Sequence, residues 1–283
     1  MLEQLIAAPP PLPVAESLEA LTALATPGNC ALITAPAGSG KTTLLSPAIA
    51  VALGRLENRR VLVTQPRRVA VRAAARRIAS LLGQDIGQEV GYSVRGDRRV
   101  SEATRIEMLT PGVLLRRLQN DPELPGVGAV VLDEFHERDL ETDLALAFCL
   151  DVRTNLREDL FLAITSATLD ANPVAELLNK ATDSTCITTE IPTPIHPLDI
   201  VYKPTSQAAL TPNSQGRMGV NPKFLAHCSQ VVAAEASQTN DDILVFLPGV
   251  GEIEQVRQLL NPQVGDDVEI LSLHGQLSGP EQD

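Results

Sequence analysis

Short apolar runs, each closed by Gly, Pro or hydroxylated residues, alternate along this chain with longer stretches of helical spacing. Ala31–Ile33, Arg60–Thr64, Val90–Arg95, Thr104–Leu109, Gly128–Leu132, Leu162–Thr165 and Ile187–Glu190 read as strands, rich in β-branched residues. Between them, Glu16–Ala25, Thr43–Leu53, Val69–Leu82, Pro111–Leu118 and Leu140–Leu150 carry helical patterns. Strands alternating with helices at this spacing predict a parallel α/β sheet. Runs as apolar as Val130–Leu132 predict strands buried on both faces.

The two ends of the chain break the pattern. Residues 1–16 include Pro9, Pro10, Pro11 and Pro13, which predicts an extended, non-helical lead-in. A second proline-dense stretch, Ile191–Pro204, contains Pro192, Pro194, Pro197 and Pro204, and a polar, Gly/Pro-punctuated segment follows it. That shift puts a domain boundary near residue 195. Beyond it a second α/β pattern begins: a helix over Pro222–Ser237, a strand over Ile243–Leu247, a helix over Val250–Leu260 and a strand over Val268–Leu273. Two strands close a core poorly, so this second unit reads as truncated.

Phosphate chemistry enters at the first strand. It breaks into Ala35-Pro36-Ala37-Gly38-Ser39-Gly40-Lys41-Thr42, with Thr43 opening a helix, which is the strand, loop and helix order of a P-loop. Gly38 and Gly40 let backbone N–H groups turn toward one point, where a helix N-terminus adds partial positive charge. Lys41 would reach the β- and γ-phosphates, and the Thr42 hydroxyl would hold Mg²⁺. The first position of the pattern is Ala35 where glycine is usual.

A second acidic site lies about 90 residues on, where Gly128–Leu132 runs into Asp133 and Glu134. Ligands of open α/β sheets bind at the carboxyl ends of strands. If that strand neighbours the P-loop strand, both carboxylates face Mg²⁺ and the γ-phosphate. Asp133 then helps hold the metal, with Glu134 beside it, and Glu134 positions and deprotonates the attacking water. A pair of solvated acids at a strand end is the bland alternative.

Charge alters this picture only through its distribution. The 283 residues carry a net charge of −12. Between Arg55 and Arg117 there are 14 Lys/Arg against 6 Asp/Glu, a local net of +8, whereas the remainder holds 9 against 29, a net of −20. The basic segment suits a phosphate-facing surface or a solvated helix face. No apolar run approaches the roughly 18 residues of a membrane span. The start, MLEQLIAAPPPLP, lacks the basic cluster of a signal peptide. Four scattered cysteines with no CxxC pair suit buried thiols in a reducing cytoplasm. His227 beside Cys228 has no second ligand pair at zinc spacing.

Asp133–His136 (DEFH), with APAGSGKT before it and Ser166-Ala167-Thr168 after it, resembles the DEAH-box branch of the superfamily 2 helicases. Thr64–Arg68 (TQPRR) is similar to that family's motif Ia, and Thr110–Arg116 (TPGVLLR) to its motif Ib. Gly91–Arg95 is like the strand between them. Ile243–Gly249 resembles motif IV, and Leu273–Ser278 the turn that follows it. The resemblance covers residues 15–283, and it is most similar to the bacterial HrpB-type ATP-dependent helicases, whose P-loop also begins with alanine.

The resemblance implies a RecA-like P-loop NTPase: a complete first lobe over residues 1–195 and a partial second RecA-like lobe over residues 196–283. It implies ATP and Mg²⁺, with Asp133, Glu134 and Lys41 at the reaction. His136 would link the nucleotide site to Ser166 and Thr168, coupling hydrolysis to strand separation. Arg67, Arg68, Thr110, Pro111 and Gly112 would contact the backbone of a nucleic acid, RNA by family, with little base preference. Phe135 stands where the family has alanine. The family's motifs V and VI, which supply its arginine fingers, do not occur in this sequence. The expectation is thus an ATP-dependent RNA helicase. Its alternative is a nucleotide- and RNA-binding module without turnover; a small-molecule P-loop kinase fits poorly, because no acceptor site or lid is recognisable.

Overall fold

Seven parallel strands and one antiparallel edge strand form a single sheet, in the order β4-β3-β5-β2-β6-β7-β1-β8. The strands are β1 (Cys30–Thr34), β2 (Arg60–Thr64), β3 (Val90–Val94), β4 (Asp97–Arg99), β5 (Ile106–Leu109), β6 (Val127–Leu132), β7 (Phe161–Ser166) and β8 (Ile187–Glu190). The helices around them are α1 (Leu2–Ala7), α2 (Leu18–Leu24), α3 (Lys41–Gly54), α4 (Arg68–Leu81), α5 (Pro111–Asn120), α6 (Leu140–Asn155) and α7 (Asn172–Ala181). This computed structural model describes all residues except 37, 55–58, 168–171, 182–185, 194–196, 213–215 and 278–283.

Helices cover both faces, which is why the central strands are apolar throughout. One core gathers Leu2, Val14, Leu21, Ile33, Leu44, Ile49, Val63, Ile78, Ile106 and Phe161; the other gathers Leu62, Leu109, Leu114, Leu132, Phe135, Leu146 and Ile164. Adjacent residues of one strand, such as Leu62 and Val63, enter opposite cores because side chains alternate across the sheet.

Three features of this unit depart from the sequence pattern. Leu2–Ala7 forms a helix where the prolines predict an extended lead-in. The prolines begin only at Pro9, so they end this helix rather than prevent it. Leu2 and Leu5 are buried, and Glu3 pairs with Arg105 at 2.7 Å. The second departure is topological. β6 does not neighbour the P-loop strand β1; β7 lies between them, paired to both. β4, which turns back antiparallel on β3 through Gly96 at φ 83°, has no counterpart in the predicted elements.

The chain divides into two compact units, Met1–Ile195 and His196–Asp283. The second contains the hairpin β9 (Leu210–Pro212) and β10 (Met218–Val220) and the packed helices α8 (Pro222–Ala236) and α9 (Val250–Leu260). Asn221 caps α8 by accepting the Lys223 N–H at 3.0 Å. The expected strands Ile243–Leu247 and Val268–Leu273 form no ladder among the described residues, and Leu244, Phe246, Leu271 and Leu273 are exposed. A parallel strand draws all its inter-strand hydrogen bonds from neighbours, so an apolar run alone does not make a sheet. No described helix is long and apolar enough to cross a membrane.

Candidate functional site

The P-loop, the DEFH residues, Ser166 and both expected nucleic-acid segments all follow parallel strands at their carboxyl ends, on one edge of the sheet. β1 runs into the P-loop, and the Ala35 N–H donates to Ser166 O at 3.0 Å, tying the loop to the end of β7. Gly38 and Gly40 have φ of 79° and 85°, values that a side chain would strain. A Cβ at Gly38 would meet nothing within 4 Å, so the loop opens outward there. Gly40 is closed instead: a Cβ would lie 2.7 Å from Leu12 Cδ1. Ser39 is fully buried, its carbonyl accepts the Val14 N–H at 3.0 Å, and its hydroxyl has no partner among the described residues. The chain before β1 therefore braces the loop from behind.

Lys41 and Thr42 open α3. Lys41, though charged, is only 4% exposed; its Nζ donates to Ala35 O at 3.3 Å and lies 3.3 Å from Glu134 Oε1. The Thr42 hydroxyl donates to Asp133 Oδ2 at 2.6 Å, so α3 spans the intervening β7. Asp133 is buried and receives three further bonds, from Gln65 Nε2 to Oδ2, from the Thr165 hydroxyl to Oδ1, and from the Glu134 N–H to Oδ1 at 3.0 Å. Glu134 holds a left-handed backbone at φ 56°, ψ 37°, a sparsely populated conformation for a non-glycine residue.

His136 faces Glu134 on one side and the end of β7 on the other. Its Nδ1 accepts the Ala167 N–H at 3.2 Å and also lies 3.3 Å from Glu134 Oε2. The neutral ring accepts from Ala167; a protonated ring would donate to Glu134 from the same nitrogen. Phe135 points into the core beneath, with the Arg138 guanidinium 5.4 Å from its ring centroid. Pro36 and Thr43 lie on the loop and first helical turn, Ser166 ends β7, and the expected residues Ala37 and Thr168 fall outside the described residues.

The segments expected to contact nucleic acid follow β2 and β5. Arg67 and Arg68 are exposed, and Arg67 pairs with Glu137 at 3.4 Å. Thr110, Pro111 and Gly112 form the N-terminus of α5, and a Cβ at Gly112 would crowd the Glu141 carboxylate at 2.8 Å. The Gln65 N–H donates to Leu109 O at 2.9 Å, joining the two segments at their bases. Part of the local charge excess faces inward, however. Fully buried Glu107 pairs with Arg60 at 2.9 Å and with Arg117 of α5, and accepts the Ser93 hydroxyl at 2.5 Å. No sequence motif assigns a role to Gln65 or Thr165, although both stand beside residues that the motifs single out.

The donor set fits a hard cation brought in with phosphate. Its oxygens come from one buried carboxylate, one neighbouring carboxylate and a hydroxyl, and Mg²⁺ is held by one or two carboxylates plus substrate phosphates. Among the described residues there is no group of three or more His, Cys, Asp or Glu that would cage a metal unaided.

Comparison with known proteins agrees with this geometry. The profile of the DEAD/DEAH box helicases matches residues 17–177. The ATP-dependent RNA helicase HrpB of Escherichia coli is 40% identical over 276 residues, covering 94% of this chain and 30% of the helicase. The HrpA homolog of Haemophilus influenzae is 32% identical, covering 97% of this chain and 20% of its own length. The crystal structure of the E. coli DEAH/RHA helicase HrpB superposes with a TM-score of 0.79 at 38% identity, over 96% of this chain and 32% of that one. This chain thus spans less than a third of the relatives it matches. With the profile covering more than half of its residues, the chain belongs to the DEAD/DEAH box helicase family.

Proposed function

We propose that this chain is the nucleotide-hydrolysing part of an ATP-dependent RNA helicase. The observation that supports it is the convergence of Lys41, Thr42, Asp133, Glu134 and His136 at one sheet edge, within hydrogen-bond reach of one another. The loop Ala35–Thr43 wraps the phosphates of ATP, which its backbone N–H groups at Gly38, Gly40, Lys41 and Thr42 bind together with the Lys41 ammonium. Thr42 and Asp133, with Glu134 beside them, hold Mg²⁺, which when bound neutralises charge developing on the phosphate oxygens. Glu134 accepts a proton from the attacking water as its oxygen bonds to the γ-phosphorus and the bond to the bridging oxygen of ADP breaks. Lys41 leaves Glu134 to bind phosphate, freeing the carboxylate for that role. His136 links the nucleotide site to Ser166 and Thr168, coupling hydrolysis to separation of the nucleic-acid strands.

Arg67, Arg68 and the N-terminus of α5 at Thr110–Gly112 bind the backbone of RNA; contacts of this type carry no sequence information. The four cysteines are free thiols, which suits a reducing cytoplasm.

The test is the ATPase rate, with and without RNA, of the protein extended to the length of its relatives, and of the same protein carrying Glu134→Gln. General-base catalysis is worth about 10²–10⁴-fold. The variant should lose turnover by that order and still bind Mg·ATP, since glutamine keeps the shape and removes the base. Similar rates in both proteins would overturn the assignment and favour a binding module without turnover.

A further inference from the structure

The geometry points to Gln65 and Thr165 as positioning residues that hold the Asp133 carboxylate in the orientation that Mg²⁺·nucleotide binding requires. This rests on the function proposed above. An aspartate carboxyl has a broad, two-fold terminal torsion, so burial alone does not fix its direction. Here four donors fix it. Oδ2 accepts from the Thr42 hydroxyl at 2.6 Å and from Gln65 Nε2; Oδ1 accepts from the Glu134 N–H at 3.0 Å and from the Thr165 hydroxyl. An ionised carboxylate offers about four acceptor sites, and this arrangement uses two donors on each oxygen.

Two of the four donors belong to residues already assigned to the nucleotide. Gln65 and Thr165 do not. They come from β7 and the end of β2, the strands that flank β6. Thr165 is fully buried and does a second thing: its oxygen accepts the Glu134 N–H at 3.3 Å. One hydroxyl therefore fixes the carboxylate of Asp133 and the left-handed peptide that aims Glu134. Gln65, also buried, is locked by its own N–H to Leu109 O, so its amide approaches Asp133 from a fixed backbone. The Thr42 hydroxyl proton already points at Oδ2, leaving its oxygen lone pairs for a cation. That geometry survives metal binding only while Asp133 stays in place.

Three variants of the 283-residue chain separate positioning from mere satisfaction of a buried charge. Gln65→Met and Thr165→Val remove a donor and keep the volume; Thr165→Ser keeps the hydroxyl. ADP affinity is measured by calorimetry in Mg²⁺ and in EDTA, alongside thermal melting. Hydrogen bonds to charged groups are worth roughly tenfold or more in an equilibrium constant. The gain in ADP affinity on adding Mg²⁺ should therefore fall about tenfold in Gln65→Met and Thr165→Val. Affinity in EDTA should be unchanged, and Thr165→Ser should keep the full gain. Equal loss with and without Mg²⁺, or an undiminished Mg²⁺ gain despite lowered melting temperatures, would leave both residues structural and overturn the inference. If Thr165→Val does not fold, Gln65→Met and Thr165→Ser decide the matter. Wild type that binds no ADP in either condition refutes the proposed function itself, and the inference with it.

Discussion

Replacing Glu107 with glutamine tests how the basic segment is built into the fold. Glu107 is fully buried in β5 and joins β3 through Ser93, β2 through Arg60, and α5 through Arg117. Removing one partner of a buried pair costs about 3–5 kcal/mol. Arg60 and Arg117 are 22% and 27% exposed, so water recovers part of that, and glutamine still accepts from Ser93. A loss of about 2–3 kcal/mol at pH 7 follows from those terms. At about 2–4 °C per kcal/mol for a unit of this size, the melting temperature of the first unit falls by roughly 5–10 °C.

The pH dependence carries a sign. Burial alone would raise the Glu107 carboxyl, but hydrogen bonds from Arg117 and Ser93 and the charges of Arg117 and Arg60 hold it below its ordinary value. A depressed folded-state value gives stability that is fully present above the ordinary carboxylate range and is lost as pH falls through the lowered value. The gap between wild type and Glu107→Gln should therefore be widest near neutrality and narrow in acid. Urea unfolding of both proteins, at pH 7 and at the lowest pH where wild type remains folded, measures it. A gap that stays constant or widens in acid, or one too small to detect at pH 7, would refute the reasoning.

Lys41→Ala should abolish Mg·ATP binding in calorimetry while circular dichroism stays unchanged, because among the described residues the ammonium has only Ala35 O and Glu134 as partners; equal affinity for both proteins would sink the site. The double variant Arg67→Ala/Arg68→Ala should flatten the plot of log K against log salt for single-stranded RNA by about 1.4, at about 0.7 per phosphate contact. An unchanged slope would move the RNA surface elsewhere. Gly40→Ala should weaken ADP binding and cost about 1–2 kcal/mol of stability, since φ is 85° and the new methyl meets Leu12; wild-type melting and affinity would mean that the loop is not braced from behind.

What the sequence alone determined was whatever rests on neighbours along the chain. Strand β2, strand β8 and helix α9 run over the same residues in pattern and structure, because alternation and helical spacing are local signals. The P-loop was legible for the same reason: backbone N–H groups can converge on phosphate only with glycine at positions such as 38 and 40. The family was legible because its motifs are contiguous runs. Helix α1 was missed because four prolines outweighed an apolar pair, Leu2 and Leu5, whose burial depends on what docks against them.

Tertiary structure alone decided which distant residues meet. Strand order placed β7 between β6 and β1, and with it brought Thr165 to Asp133 from 32 positions away and Gln65 from 68. It turned Arg60, Arg105 and Arg117 toward buried or half-buried carboxylates while leaving Arg67 and Arg68 outside. It also left Ile243–Leu247 without a ladder among the described residues, although its residues have every local mark of a strand. Helical hydrogen bonds close within one segment, whereas a sheet and the side chains at its edge depend on segments that no local pattern specifies.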